Sequence, residues 1–182
     1  MSRIVFALLW LAHFLPFAVL AAIGNGVGVI AFWLIPERRR VTRVNLAKCF
    51  PGMNPADRER LARAHFRAFC RSFVDRAILW WAPRARVERL IRVEGLEHLR
   101  ALGSAPVILF APHFVGMDAG GTRMTCEVNL VSMYARQKDE EFSELLMRGR
   151  SRFGDQRMVS RQEGIRATLA AMREGRPFYY LP

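Results

Sequence analysis

Cysteine is scarce in this 182-residue chain, and the three present, Cys49, Cys70 and Cys126, form no CxxC pair. An odd count without that spacing excludes a disulfide framework and a cysteine zinc site, so small buried hydrophobes in a reducing compartment are expected. Lysine is nearly missing: Lys48 and Lys138 are the only two among 28 basic residues. Acidic residues number 16, which leaves a net charge of +12 carried almost wholly by arginine. Such a surface attracts polyanions, and the guanidinium fork suits phosphate. The chain carries no nucleic-acid-binding fold signature and no aromatic–basic reading motif, so nucleic acid is not expected as a partner. Anionic lipid headgroups and acidic proteins remain. Repeats and low-complexity linkers are also absent, and the length accommodates one compact domain plus a short extra element.

Charge is absent altogether from Ile4 to Ile35, a run of 32 residues. A bilayer-crossing helix needs about 20 apolar residues, so the run is long enough to serve as a membrane anchor. The 52% hydrophobic content of the whole chain is too low for a multi-span membrane protein, and the apolar excess sits at this end. His13, Pro16 and the cluster Gly24-Asn25-Gly26-Val27-Gly28 predict a kinked or broken element, with Trp10 and Trp33 as interfacial anchors. A cleavable signal peptide would be shorter and begin with more positive charge than the single Arg3. Arg38, Arg39, Arg40 and Arg43 follow the run, and the positive-inside rule keeps that flank cytoplasmic. Residues 1–36 therefore read as an anchor and residues 37–182 as the working domain.

Beyond the anchor, Pro51-Gly52 marks a turn. Asn54 followed by Pro55 opens a helix whose packed side is expected at Leu61, Ala64 or His65, Ala68, Phe69, Phe73 and Ala77. Trp80 and Trp81 end that segment against core or membrane. "RVEGLEHL" reads as a short strand turning into a helix, with His98 on the surface. "PVILF" fits a buried strand of a parallel sheet, and "EVNLVSMYA" and "PFYYLP" are further strands. "DEEFSELLMRGRSRFG" and "QEGIRATLAAMREG" are amphipathic helices. Strands alternating with helices define an α/β class.

"APHFVGMDAGG" follows directly on the strand "PVILF" and places His113 five residues before Asp118. Sites in open α/β sheets are built at the C-terminal ends of strands. A histidine with a pKa near 6.5 can act as a base around neutrality, and a carboxylate on its other nitrogen fixes the tautomer. No serine or cysteine within the motif offers a nucleophile, so the simplest chemistry is direct proton removal from a substrate hydroxyl that attacks an activated acyl group. One histidine and one aspartate without further ligands nearby do not make a metal site. Taken alone, His-x4-Asp is a weak signal, and a satisfied core histidine followed by an unrelated aspartate is the reading it favours.

The same stretch closely resembles the HX4D motif of the late lipid A biosynthesis acyltransferases, the lauroyl/myristoyl family of Gram-negative bacteria. The likeness extends to the hydrophobic N-terminus, "RVNLAKCFPGM", "MYARQKDEEFSELLMRGRSRFG" and "GIRATLAAMREGRPFYYLP". It implies a glycerolipid-acyltransferase-like mixed sheet flanked by helices behind an anchoring helical segment. It also implies His113 as general base and Asp118 as its partner, with Tyr134, Arg136, Arg150 and Arg152 contacting acceptor phosphate or sugar. The implied reaction moves a fatty acyl chain from acyl carrier protein to a hydroxyl of a lipid A precursor, at the cytoplasmic side of the inner membrane. No cofactor is implied beyond the carrier's phosphopantetheine. Glycerolipid acyltransferases share HX4D but usually show NHxSxxD, whereas Pro112, Val115 and Gly116 stand here; a lysophospholipid or amino-lipid acceptor and a non-enzymatic basic membrane-binding module are the alternatives. The family has an aspartate directly after the final proline and a further segment beyond it, so the chain is expected to be an N-terminal portion whose own activity is open.

Overall fold

The computed structural model describes residues 2–181. Helix α1 (Ser2–Ala12) is followed by Pro16, whose extended backbone (φ −56°, ψ 145°) separates it from α2 (Phe17–Leu34). Proline lacks the N–H that would continue the helix. The break therefore falls at Pro16. The glycine cluster, expected to interrupt the segment, lies inside an unbroken α2. Ile35 turns the chain into α3 (Pro36–Cys49), which has proline at its first position. Next comes α4 (Pro55–Val74), capped by Asn54, whose side chain accepts from the Asp57 N–H at 2.8 Å.

The chain divides into two compact units, one of them Phe14–Arg76. In this unit α2 lies against α4 along a stripe of Leu20, Gly24, Gly28 and Phe32, the buried positions of α2. A Cβ on Gly28 would stand 2.5 Å from the Arg67 Cα, and one on Gly24 2.6 Å from the Arg71 Cα. The pair is a small-xxx-small seam that lets two backbones touch. The buried positions of α4 are Ala62 and Phe66. The packed side is thus rotated from the one expected: Phe69 and Phe73 are exposed, as is His65. Phe32 and Phe66 meet edge to face at 5.3 Å.

The other unit holds the residues up to His13 and those from Ala77 onward. Short helices α5 (Arg76–Trp81), α6 (Arg84–Leu90) and α7 (Leu96–Ala101) lead to β1 (Ile108–Phe110). No strand forms in "RVEGLEHL", where a non-helical stretch precedes α7. There follow α8 (Met117–Thr125), β2 (Val131–Tyr134), α9 (Glu140–Arg150), β3 (Arg157–Ser160), α10 (Ile165–Arg173) and β4 (Phe178–Tyr180). The strand order is β1-β4-β2-β3, and every pairing among the described residues is parallel, where a mixed sheet was expected. Parallel strands need helical crossovers, which α8, α9 and α10 supply. Val131, Val159 and Phe178 pack with Ala171 and Met172 of α10 to form the sheet core. Trp80 belongs to a second core with Leu79 and Leu146. Of the cysteines only Cys126 is buried; Cys49 is exposed, against expectation.

Gly26 tests the seam, because nothing lies within 4 Å of a Cβ placed there. Gly26→Ala should hold or raise the melting temperature in detergent, since alanine gains about 1 kcal/mol of helix propensity. Gly28→Ala should lower it, with an overpacking cost of about 1–3 kcal/mol against backbone atoms that cannot move aside. Thermal unfolding of the two variants side by side checks this.

Candidate functional site

All four strands run the same way, so their C-terminal ends share one edge of the sheet, and the loop Ala111–Gly116 leaves that edge from β1. The Ala111 N–H donates to the Tyr180 carbonyl at 2.8 Å, carrying the β1–β4 ladder one step past the strand. Phe114 N–H then donates to the Pro112 carbonyl at 2.7 Å, and Gly116, at φ 94°, opens α8. His113 is exposed at the head of this turn. Around it the loop presents apolar side chains to solvent: Phe110 is 66% exposed, Phe114 75% and Val115 47%.

Asp118 lies in the first turn of α8, where a negative charge meets the positive end of the helix dipole. Its side chain is largely buried and accepts from Arg150 Nη2 at 2.8 Å. Arg150 is the last residue of α9, so this ion pair ties α8 to α9. The approach of α9 depends on Gly149, where a Cβ would stand 2.1 Å from Trp80 Cδ1. A cavity of about 40 Å³ lies beside the pair, lined by Met117, Thr122, Leu130, Met158 and Tyr179. It is large enough for water.

Tyr179, central in β4, was not anticipated as a site residue. Its ring packs beneath Gly120 and Gly121, and its hydroxyl donates to the Met117 carbonyl at 3.4 Å. Burial pushes its phenol up, the Asp118 charge adds to this, and the Arg150 guanidinium opposes it. The phenol is therefore a proton donor throughout the neutral range. The paired glycines on α8 were the available signal, since such positions mark a close neighbour.

The four residues expected to act as one block are divided by the structure. Tyr134 and Arg136 come together at the end of β2, lining a polar cleft of about 650 Å³ with Lys138, Ser143 and Arg148. Arg150 faces Asp118 instead. Arg152 donates to the carbonyls of Leu79 at 2.9 Å, Ile78 at 3.4 Å and Ala82 at 2.5 Å. It thereby satisfies the open end of α5, and its guanidinium is pulled down by burial.

The model of the family described as bacterial lipid A biosynthesis acyltransferase matches residues 2–182. The lipid A biosynthesis palmitoleoyltransferase of Escherichia coli (strain K12) is 27% identical over 176 residues, covering 96% of this chain and 57% of that protein. The lipid A biosynthesis lauroyltransferase of the same organism is 24% identical over the same shares. A lipid A biosynthesis acyltransferase of Haemophilus influenzae is 29% identical over 182 residues, 98% of this chain and 56% of its own. The chain thus spans little more than half the length of these relatives.

Two outcomes follow from the geometry. A phenol whose folded-state pKa is raised stabilises below the unfolded value, about 10, and that contribution is lost as pH climbs above it. Denaturant unfolding of the native protein should therefore weaken more steeply above about pH 10 than that of Tyr179→Phe. Arg152→Gln should lose about 1–3 kcal/mol in the same measurement at neutral pH, the cost of leaving buried carbonyls without donors.

Proposed function

Because the chain belongs to the bacterial lipid A biosynthesis acyltransferase family, we propose that it transfers a fatty acyl chain from acyl carrier protein to a hydroxyl of a lipid A precursor. The observation that carries this reading is the placement of His113 at the sheet's C-terminal edge, five residues before an Asp118 held by Arg150. In the proposed reaction His113 takes the proton of the acceptor hydroxyl as its oxygen attacks the thioester carbonyl. The tetrahedral oxyanion faces the N-terminal end of α8, whose positive partial charge favours it. Collapse of this intermediate forms the ester and breaks the carbon–sulfur bond. The departing phosphopantetheine thiolate receives the proton from His113, so the base returns to its starting state. Asp118 is assigned to orient His113 and to balance the imidazolium charge, and Arg150 to keep Asp118 in place.

The remaining groups suit the two substrates. Phe110, Phe114 and Val115 give an acyl chain an apolar rim beside the base. The cleft of Tyr134, Arg136, Lys138 and Arg148 offers a phosphorylated sugar three cations, against the two carboxylates Glu140 and Glu144 that also line it. The net charge of +12 favours an acidic carrier protein as well as an anionic acceptor. Helix α2 is the one described helix long and apolar enough to cross a membrane, and the arginines after it support a cytoplasmic side of the inner membrane in this reading.

The test uses the full-length protein in mixed micelles with acyl carrier protein thioester and lipid A precursor, and a lysophospholipid in a parallel arm. His113→Ala should lose at least about a hundredfold in kcat, the lower end of what a general base contributes. Turnover close to that of the native protein in that variant would overturn the mechanism. Faster acylation of the lysophospholipid would overturn the acceptor.

A further inference from the structure

A groove of about 570 Å³ in the unit Phe14–Arg76 plays no part in the proposed reaction. It opens between α2, α3 and α4. Its apolar lining is Ala31, Ile35, Val41, Phe66 and Phe69, of which Ile35, Val41 and Phe69 are exposed. Its polar lining is Arg38, Thr42, Asn45 and His65, and no carboxylate is among the lining residues. The volume falls within the range of sites that hold one small molecule, roughly 300–1,000 Å³. An apolar lining beside a cation and hydrogen-bonding side chains is complementary to an amphiphile with a negatively charged head.

The surrounding charge favours an anion over a zwitterion. From Phe14 to Arg76 there are eleven Lys and Arg against four Asp and Glu. Glu59 is engaged by Arg43 at 2.7 Å and Arg63 at 3.4 Å, and Asp57 by Arg60. Arg38 has no ion-pair partner among the described residues and is exposed. Beside the groove α2 turns Ile23, Val27 and Ile30 outward, each more than 40% exposed, on a helix of bilayer-spanning length. The medium that covers such a face also supplies the occupant.

We propose that this groove seats one anionic glycerophospholipid, with an acyl chain along Ile35, Val41 and Phe69 and the headgroup phosphate on Arg38. Thr42 and Asn45 hydrogen-bond the headgroup at the rim. The lipid fills the space between three helices and holds the unit against the membrane without entering the reaction. This rests on the membrane association stated above.

Cys70 lines the groove, whereas Cys49, on the same unit, is exposed outside it. The full-length protein in detergent micelles is alkylated with a maleimide, and the rate at each cysteine is read by peptide mass spectrometry. Phosphatidylglycerol should slow alkylation of Cys70 several-fold and leave Cys49 unchanged, while phosphatidylcholine or inorganic phosphate alone should have little effect. Arg38→Glu, at an exposed position, should abolish the protection. Equal protection by both lipids, protection by inorganic phosphate, or protection that survives Arg38→Glu would overturn the proposal. Native mass spectrometry gives a second reading of the site: one phosphatidylglycerol should stay bound to the native protein and not to Arg38→Glu, and its absence from both overturns the site. Vesicle flotation separates the two claims. Flotation with no protected Cys70 overturns the groove alone, whereas loss of flotation overturns the membrane association beneath it.

Discussion

The strand that carries the His113 loop reaches the rest of the sheet through β4. Phe178, Tyr179 and Tyr180 pair with β1 on one side, and Phe178 and Tyr179 with β2 on the other. Each of the three has a separate task. Phe178 enters the core with Val131 and Val159, each of which contributes about 1.5–3 kcal/mol by burial. Tyr179 seats α8, and with it Asp118. The Tyr180 carbonyl fixes the backbone of Ala111, two residues before the histidine. One three-residue strand, late in sequence and central in the sheet, therefore contacts the chain on both sides of His113, at Ala111 and at Met117. A crossover order of this kind couples the site to the closure of the whole parallel sheet.

The unit Phe14–Arg76 shows why the chain uses arginine where lysine would supply the same charge. Arg39, Arg43 and Arg63 lie over the Phe32 ring at 5.4, 5.6 and 4.7 Å, and Arg63 also lies 5.0 Å from the centre of Trp33. Arg39 donates to the Phe32 carbonyl at 3.1 Å near the end of α2. Planar guanidinium groups can stack on a ring and keep their edge donors for carbonyls and carboxylates, as Arg43 does with Glu59. Three ammonium groups would bring the same repulsion without that stacking. The helix end is thus held by flat cations at the place where the apolar segment gives way to charge.

Features governed by local backbone chemistry were legible in the sequence. Asn54-Pro55 predicts the start of α4, Pro16 predicts a break, and "PVILF" predicts a strand at β1, because each depends on neighbouring residues alone. The burial expected of that strand fails, since β1 is the sheet's edge and Ile108 and Phe110 are exposed. Tertiary contact decided the rest. The glycines of α2 look like helix breakers by propensity, yet the same lack of a side chain admits the α4 backbone. The β3 sequence Arg157–Ser160 is too short and too polar to stand out, and it is a strand because β2 pairs with it. Nothing local orders β4 between β1 and β2. The resemblance gives Arg150 and Arg152 the same kind of contact with the acceptor, but the two, only two residues apart, engage different partners at the end of α9. Resemblance to a family gave their positions in the chain and left their partners to the fold.

The exposure of His113 fits a reaction in which the substrate completes the site. Proton transfer and oxyanion stabilisation are strongest where water is excluded, yet Phe110, Phe114 and Val115 beside the base are open. A small polar substrate would leave these side chains wet and gain little from them. A long acyl chain laid across them removes water from its own surface and from the rim at about 25 cal/mol per Å². The same act surrounds the imidazole with hydrocarbon. Binding energy from the non-reacting tail is then used at the reacting atoms. Under the proposed reaction, the apolar rim selects for a fatty thioester and dries the proton-transfer step together, and the ion pair of Asp118 with Arg150 keeps the carboxylate in position while this happens.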